Sequence, residues 1–424
     1  MTDTTFKPDF NPRSDFLRIL TERGYIHQAS DLQALDDLAA DGRLIAYVGY
    51  DCTAPSLHIG HLLSIMMLHW LQATGNKPIT LMGGGTTRVG DPSGKDETRQ
   101  LLTVETIDAN KDSIKGVFEC FLQFGDATGD ALMVDNAEWL TRLNYIEMLR
   151  DVGRHFSVNR MLSMDSVRLR LEREHELSFI EFNYMILQSY DFVELARRYG
   201  CNLQMGGSDQ WGNIVNGIEL TRRVSGNEVF GLTVPLLTTS GGAKMGKTAA
   251  GAVWLNADHL APYDYWQFWR NTADADVAKC LRLFTELPMS EIERLAALEG
   301  AELNEAKKIL ATQVTAIVHG PEEARGALQQ GNALFSGEGE IREPTHSLPL
   351  KILADGLGLL ELVVAVGFAA SNGEARRLVE GGGVRLNNQI VDDVRRRIAT
   401  GDLQANDRLS ISVGKRRKAL VGFE

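Results

Sequence analysis

His58 and His61 stand three residues apart in PSLHIGHLLSIMMLHWLQATG (55–75), at the head of a strongly apolar run. From Leu62 to Leu71 only Ser64 and His69 interrupt the apolar residues. Such a run reads as an interior helix, and the spacing puts both imidazoles on one side of its first turn. Each ring can donate a hydrogen bond to a phosphoryl oxygen, and Gly60, lacking a side chain, lets a flat ligand approach. The helix N-terminus is expected to add unpaired backbone donors, a setting that favours an anion. The plainer alternative is a histidine pair that caps or packs the helix end. Metal ligation is the weaker reading, because no cysteine or third histidine lies nearby in a ligand-like pattern, and no metal site is expected.

A second candidate is KMGKT (244–248), which follows a glycine pair. Lys244 and Lys247, with Thr248, could close on a polyphosphate and neutralise charge building on a leaving group, as in phosphoryl or nucleotidyl transfer. Its alternative is an exposed polar hairpin whose lysines serve solubility. The glycine-rich GGGTTRVGDPSGKD is not a P-loop, since Gly94 is followed by Lys95 and Asp96 rather than by Lys and Ser or Thr.

Alternating elements must position these groups. LIAYVGY (44–50), residues 78–82, ALMVDN (131–136) and NLQMGG (202–207) read as strands. Helical patterns follow His61 and lie near 104–123, at 141–150, at 180–198 and after Ser208. Strand and helix in alternation imply a parallel sheet wrapped on both faces, with ligands at the carboxyl ends of its strands. Tyr47, Gly49 and Asp51, then Gly83 to Asp91, then Gly206 to Gln210 collect at those ends. The expected organisation is an α/β, Rossmann-like catalytic domain over 1–252, an all-helical domain over 253–335, a linker over 336–350 and a small α+β domain over 351–424.

Bulk properties agree with a multidomain globular protein: 424 residues, 44% hydrophobic. A formal net charge of −12 argues against an everywhere-basic nucleic-acid binder. Yet residues 371–424 carry eleven Lys or Arg against seven Asp or Glu, leaving −16 for the remainder. Positive charge is thus concentrated in the tail, where Arg376, Arg377, Arg385 and KRRK (415–418) suit shape and phosphate recognition of structured RNA. Cys52, Cys120, Cys201 and Cys280 are scattered, as in a reduced, cytoplasmic compartment. The first residues have early acids and no apolar core, unlike a signal peptide, and no run is long enough to span a membrane.

PSLHIGH resembles the first signature of the class I aminoacyl-tRNA synthetases, and KMGKT their second, lysine-bearing one. GDPSGK, NYMILQSYDF and GGSDQWGNI resemble the bacterial tyrosyl-tRNA synthetases specifically, and the tail resembles the S4-type RNA-binding module. KMGKT departs from the broader class in having Gly246 and Thr248 where serines are usual. The resemblance implies that Tyr47 and Asp191 hydrogen-bond a substrate phenol and that Asp91, Tyr184 and Gln188 hold its ammonium. Gln210 would lie near the substrate carboxylate and the ribose. Gly49, Asp51, Thr53, Gly60, Gly207 and Asp209 would contact ATP together with His58, His61, Lys244 and Lys247. Lys95 and Arg99 would assist pyrophosphate or the tRNA end. Trp211 and Phe182 are expected to pack.

A phenol is told from a phenyl ring only by a site that hydrogen-bonds the hydroxyl, and then by about 10⁴–10⁵ without editing. The implied activity is tyrosine--tRNA ligation. The L-tyrosine carboxylate attacks the α-phosphorus of ATP, giving tyrosyl-adenylate and pyrophosphate, and the amino acid is then passed to the 3′ end of tRNA(Tyr). ATP is a substrate, Mg²⁺ accompanies it, and no organic cofactor is expected. The family works as a homodimer. The rivals are a tryptophan-specific relative and an inactive synthetase-like RNA-binding protein.

Overall fold

Short, mostly apolar segments become the strands of the first unit's sheet. The computed structural model describes residues 10–91, 102–174, 177–242, 245–248, 251–336, 346–354, 356–387, 389–404, 407–414 and 417–423. Two units are distinguished, Met1–Arg325 and Gly326–Glu424.

The first unit begins with α1 (Asp15–Arg23), β1 (Gln28–Ala29) and α2 (Leu32–Ala40). The alternating series then runs β2 (Ile45–Tyr50), α3 (Ile59–Ala73), β3 (Lys77–Met82), α4 (Val104–Glu119) and β4 (Leu132–Asp135). The short helices α5 (Ala137–Leu140), α6 (Tyr145–Asp151), α7 (Val158–Leu162) and α8 (Asp165–Glu172) lead to α9 (Phe179–Tyr199), β5 (Leu203–Gly207), α10 (Trp211–Ser225) and β6 (Phe230–Val234). The sheet order is β1-β6-β5-β2-β3-β4, parallel throughout except for β1, which runs antiparallel to β6. β1 and β6 add to the strands legible in sequence. A two-residue edge has no pattern to read, and FGLTV alone does not separate a buried strand from a buried helical turn.

Side-chain alternation along β2 decides which helix covers which face. The Tyr47 ring meets Phe192 of α9 edge-on, with centroids 5.3 Å apart. Tyr50, three residues on, points the other way, 4.9 Å from Phe118 of α4 and hydrogen-bonded to Ser64 of α3 at 3.1 Å. α3 is buried on nearly every side, which explains its apolar sequence. α9 is a 21-residue rod fixed at both ends. Ser178 and Glu181 form a reciprocal N-terminal cap, and Gly200 closes the other end in the left-handed conformation. Such caps contribute about 1 kcal/mol each, and they set the direction of the residues that α9 presents to the sheet.

After β6 come the two-residue strands β7 (Lys247–Thr248) and β8 (Gly251–Ala252). The expected helical stretch resolves into α11 (Pro262–Arg270), α12 (Val277–Phe284), α13 (Met289–Ala296), α14 (Leu303–His319) and α15 (Pro321–Ser336). Trp266 and Trp269 of α11 are fully buried and help to build this layer's core. Arg23 of α1 ties the layer down by donating to the carbonyls of Arg282, Thr285 and Leu287.

In the second unit, β9 (His346–Leu348), α16 (Lys351–Ala354), β10 (Leu357–Gly358), α17 (Leu359–Ala365) and α18 (Asn372–Glu380) precede β11 (Val384–Leu386), β12 (Gln389–Ile390), β13 (Arg397–Ile398), β14 (Arg408–Val413) and β15 (Arg417–Phe423). The main sheet has the order β12-β11-β14-β15-β9. One face, with Val384, Leu386, Ile411 and Val421, shares a core with Leu362, Val363 and Val379 of the helices. Arg385, opposite Ser412, faces outward. His346–Leu348 lies in the stretch expected as a linker. It forms an edge strand beside β15.

Candidate functional site

Because β2, β3, β4 and β5 are parallel, their carboxyl ends open on one side of the sheet. A cavity of about 610 Å³ lies there. β2 and its exit contribute Tyr47, Gly49, Asp51 and Thr53, and the start of α3 contributes His58, Gly60 and His61. Asp91 enters from the glycine-rich loop, Tyr184, Gln188 and Asp191 from α9, and Gly207, Asp209 and Gln210 from the end of β5. Residues more than 150 positions apart in sequence thus share one cleft.

One end of the cleft matches a phenol. The hydroxyl of Tyr47, a residue only 1% exposed, has no hydrogen-bond partner among the described residues. Leaving a buried hydroxyl unpaired costs about 1–3 kcal/mol, so the site is built to be completed by something else. Asp191 is 2% exposed, and its carboxylate accepts from Asn136 Nδ2 at 2.9 Å and from Trp139 Nε1 at 2.8 Å. Burial pushes this carboxyl up to about 8, against the two N–H donors, while Asp51 and Asp135 push in the same direction as burial. Asn136 is fully used, since it also donates to Thr86 Oγ1 at 3.0 Å and accepts from the Gly85 N–H at 2.7 Å. The sequence reading missed Asn136, Trp139 and Thr86. A signal for Asn136 was available, for it closes ALMVDN at a strand's carboxyl end.

Beside the phenol end, the Tyr184 hydroxyl donates to Asp51 Oδ2 at 3.1 Å, and Thr86 Oγ1 donates to Asp51 Oδ1 at 2.8 Å. Burial, reinforced by Asp51 and Asp91, holds the Tyr184 phenol well above its ordinary value, so it remains a donor. Gln188 Nε2 donates to Gln210 Oε1 at 3.3 Å, while Gln188 Oε1 is buried with no partner among the described residues. That carbonyl and the carboxylates of Asp51 and Asp91 form an acceptor-rich wall suited to an ammonium. Gly83 is required here, because a Cβ would lie 2.4 Å from Asp51 Oδ1.

The histidine signature differs from expectation in one respect. The first backbone donors of α3 are already taken: Ile59 N–H by the Val253 carbonyl, Gly60 N–H by His58 Nδ1 at 3.0 Å and His61 N–H by the His58 carbonyl. His58 N–H donates in turn to His61 Nδ1 at 3.3 Å. A ring nitrogen that accepts carries no proton, so each imidazole holds its proton on Nε2. Burial, then the neighbouring His58, bring the His61 pKa down to about 3, so His61 is a neutral donor. An anion at this wall would therefore meet imidazole N–H groups rather than bare backbone. The rings lie 4.1 Å apart.

In the lysine signature, Lys244 lies outside the described residues, as do Lys95 and Arg99. For Lys247 and Thr248 the backbone is described, as strand β7. Met245 N–H donates to the Leu237 carbonyl, and Val253 N–H to that of Gly246, which seats the segment against the start of α3. Gly246 has φ +98°, and a Cβ there would lie 2.7 Å from Ile59 Cγ1. The departure from serine at this position thus has a steric cause. In the second unit Arg376, Arg377 and Arg385 are exposed, with no acidic partner among the described residues. Lys415 and Arg416 of KRRK lie outside those residues.

A wall of two imidazoles, a lysine-bearing segment folded against it, and a buried acceptor and donor at the far end can align an amino acid with a triphosphate. The family model of class I tRNA synthetases (W and Y) matches residues 39–336, and that of the S4 domain residues 357–403. The chain is 65% identical to the tyrosine--tRNA ligase of Nitrobacter winogradskyi and 64% identical to that of Rhodopseudomonas palustris. Each match covers 96% of this chain and 98% of the relative. A C-terminally truncated mitochondrial tyrosyl-tRNA synthetase from Aspergillus nidulans superposes with a TM-score of 0.69 at 32% identity, over 76% of this chain and 95% of that one. A signature-bearing cleft and relatives alike over almost their whole length have one common explanation: the chain belongs to the bacterial-type tyrosyl-tRNA synthetases, class I enzymes that carry an S4 domain.

Proposed function

We propose that this chain performs tyrosine--tRNA ligation, forming tyrosyl-adenylate from L-tyrosine and ATP and passing the tyrosyl group to tRNA(Tyr). The observation that carries the choice of amino acid is the unpaired, buried Tyr47 hydroxyl set with the Asp191 carboxylate at one end of the cleft. Tyr47 donates to the substrate phenol oxygen and Asp191 accepts its proton. Phenylalanine would leave the Tyr47 hydroxyl unpaired and the remaining acceptor capacity of Asp191 unused. An indole is larger and offers one N–H, which suits the pair less well.

The ammonium rests against Tyr184, Gln188 and Asp91, with Gln210 near the carboxylate. The carboxylate then faces the α-phosphorus for in-line attack. No protein nucleophile is needed. His58 and His61 donate through Nε2 to the phosphate oxygens, and Lys244, Lys247 and Thr248 meet them from the other side as charge moves to pyrophosphate, so the rate comes from alignment and preorganised charge. Gly49, Thr53, Gly60, Gly207 and Asp209 line the nucleotide side, while Asp51 stands in the acceptor wall beside Tyr184 rather than among them. Mg²⁺ enters with the triphosphate as part of that substrate, coordinated by phosphate oxygens and water. The exposed arginines Arg376, Arg377 and Arg385 offer the S4 unit's charge to the RNA backbone, and Lys95 and Arg99 assist pyrophosphate or the acceptor end.

A homodimer is proposed on the apolar side chains along α6, α7 and the start of α9. Ile146 is 68% exposed and Phe179 69%, more apolar surface than a monomer ordinarily leaves open. Phe179→Glu should halve the sedimenting mass, and an unchanged mass would remove that face from the interface. A cytoplasmic setting is proposed on the four unpaired cysteines. Among the described residues no helix is long and apolar enough to cross a membrane.

Isotope exchange between pyrophosphate and ATP, with each amino acid supplied singly, tests the reading. Exchange should depend on tyrosine, with very little from phenylalanine or tryptophan. Exchange driven by tryptophan would reassign the substrate, and none with any amino acid would remove the activity.

A further inference from the structure

The Trp139 indole that donates to Asp191 carries a cation on its face. The guanidinium carbon of Arg198, near the end of α9, lies 5.0 Å from the ring centroid. Trp139 is 3% exposed, whereas the Arg198 side chain keeps 33% of its surface in solvent. Arg198 is aimed by Glu194, whose Oε2 accepts from its Nε at 2.6 Å, and by Glu138 of α5, 3.9 Å from its Nη1. Glu194 also accepts from Arg197 Nη2 and from the Tyr190 hydroxyl.

A positive charge over the indole face draws π density toward itself and makes the ring N–H a stronger donor. The same contact covers the exposed side of the ring and fixes its rotation. Trp139 Nε1 thereby keeps its 2.8 Å bond to Asp191 Oδ1, which leaves the remaining acceptor capacity of the carboxylate to the ligand. We propose that Arg198 is a positioning residue for tyrosine selection. Acting through Trp139, it favours the ionised form of Asp191 and orients that carboxyl toward the substrate phenol. This deepens the proposed function and rests on its assignment of Asp191. The other charged or titratable groups around Asp191 are Asp51 and Tyr47 at the end of β2, Asp135 at the end of β4 and Tyr184 on α9. Asp51 and Asp135 disfavour its ionisation, and the cation opposes them, while Tyr47 and Tyr184 stay neutral phenols.

The test is the ratio of kcat/KM for tyrosine to that for phenylalanine in pyrophosphate exchange, followed from pH 5.5 to 9 in the full-length chain. The ratio cancels the titration of the substrate amino group. Arg198→Met keeps the ring covered and removes the charge. It should lower the ratio at pH 7.5 about threefold and move the midpoint of its pH dependence upward by about half a pH unit. Arg198→Lys should restore most of both. Arg197→Met, which removes an equal charge from Glu194 without touching the indole, should change neither. A ratio and midpoint unmoved in Arg198→Met, or moved equally in Arg197→Met, would overturn the inference, as would a lowered melting temperature with an unmoved profile. Absence of tyrosine-dependent exchange in the unsubstituted chain would instead be a failure of the activity itself.

Discussion

The backbone N–H of His58 donates to Nδ1 of His61 at 3.3 Å, while His58 Nδ1 accepts from Gly60. The backbone N–H groups of His58 and Gly60 thus fix the tautomers of His61 and His58, and the two rings close the end of a helix. Both face the cleft, His61 as a neutral N–H donor. Recognition and capping use opposite edges of the same rings.

That arrangement predicts the effect of His61→Ala on adenylate formation. Removing one preorganised donor should lower the single-turnover rate about 10²-fold or more, with tyrosine affinity changed little. Since burial brings the His61 pKa down to about 3, the rate should show no His61 ionisation between pH 5 and 8. Stopped-flow adenylate formation across that range checks both.

Tyr47→Phe should move stability and affinity in opposite senses. Removing the unpaired buried hydroxyl should raise folding stability by about 1 kcal/mol, while tyrosine affinity falls about tenfold. Denaturant unfolding and equilibrium dialysis read the two. A variant less stable than the parent would mean that the hydroxyl has a partner in the free protein.

Tyrosine affinity should rise with pH through the Asp191 transition. With its carboxyl pushed up to about 8, the acceptor form in the free site grows as pH climbs from 6 to 8.5, and the phenol gains its acceptor. Tyrosine titrations normalised to phenylalanine, which lacks the phenol, should show this rise. A flat ratio would place the transition elsewhere.

Gly246→Ser should disturb the lysine segment without touching the amino acid pocket. The added Cβ at φ +98°, 2.7 Å from Ile59 Cγ1, costs about 1–3 kcal/mol of local strain. The expected result is a fall in kcat of roughly tenfold or more at nearly constant tyrosine affinity.

His69 links α3 to the helical layer and makes stability pH-dependent. Its Nε2 lies 2.6 Å from Glu286 Oε1 and its Nδ1 2.9 Å from the Phe121 carbonyl. Both partners are acceptors, which favours the imidazolium form. Burial alone would lower its pKa, but Glu286 and the carbonyl outweigh burial and the net direction is upward. A raised folded-state value means that the contribution is complete below the unfolded value near 6.5 and is lost as pH rises through the folded one. Melting temperature should therefore decline above neutrality by more in the parent than in His69→Gln. That variant should cost about 1 kcal/mol at pH 6, a modest figure because Glu286 is half exposed.

Local pattern was enough wherever one element carried its own message. PSLHIGH and KMGKT stand out by residue type and spacing, LIAYVGY and PITLM as strands by their mainly apolar character, and the basic tail by its contrast with an acidic chain. The sequence by itself therefore determined the alternating fold class and singled out His58, His61, Tyr47 and Asp191, which the fold gathers in one cleft. Tertiary structure alone decided how those groups are held. That Asn136 and Trp139 grip Asp191, that Thr86 orients Asp51, and that the donors of α3 are spent on Val253 and on its own histidines are contacts between residues far apart along the chain. Hydrogen bonds and van der Waals contacts act over a few ångströms. Sequence spacing fixes such distances within a helix turn or along a strand, but between elements only the packed sheet and its helices set them.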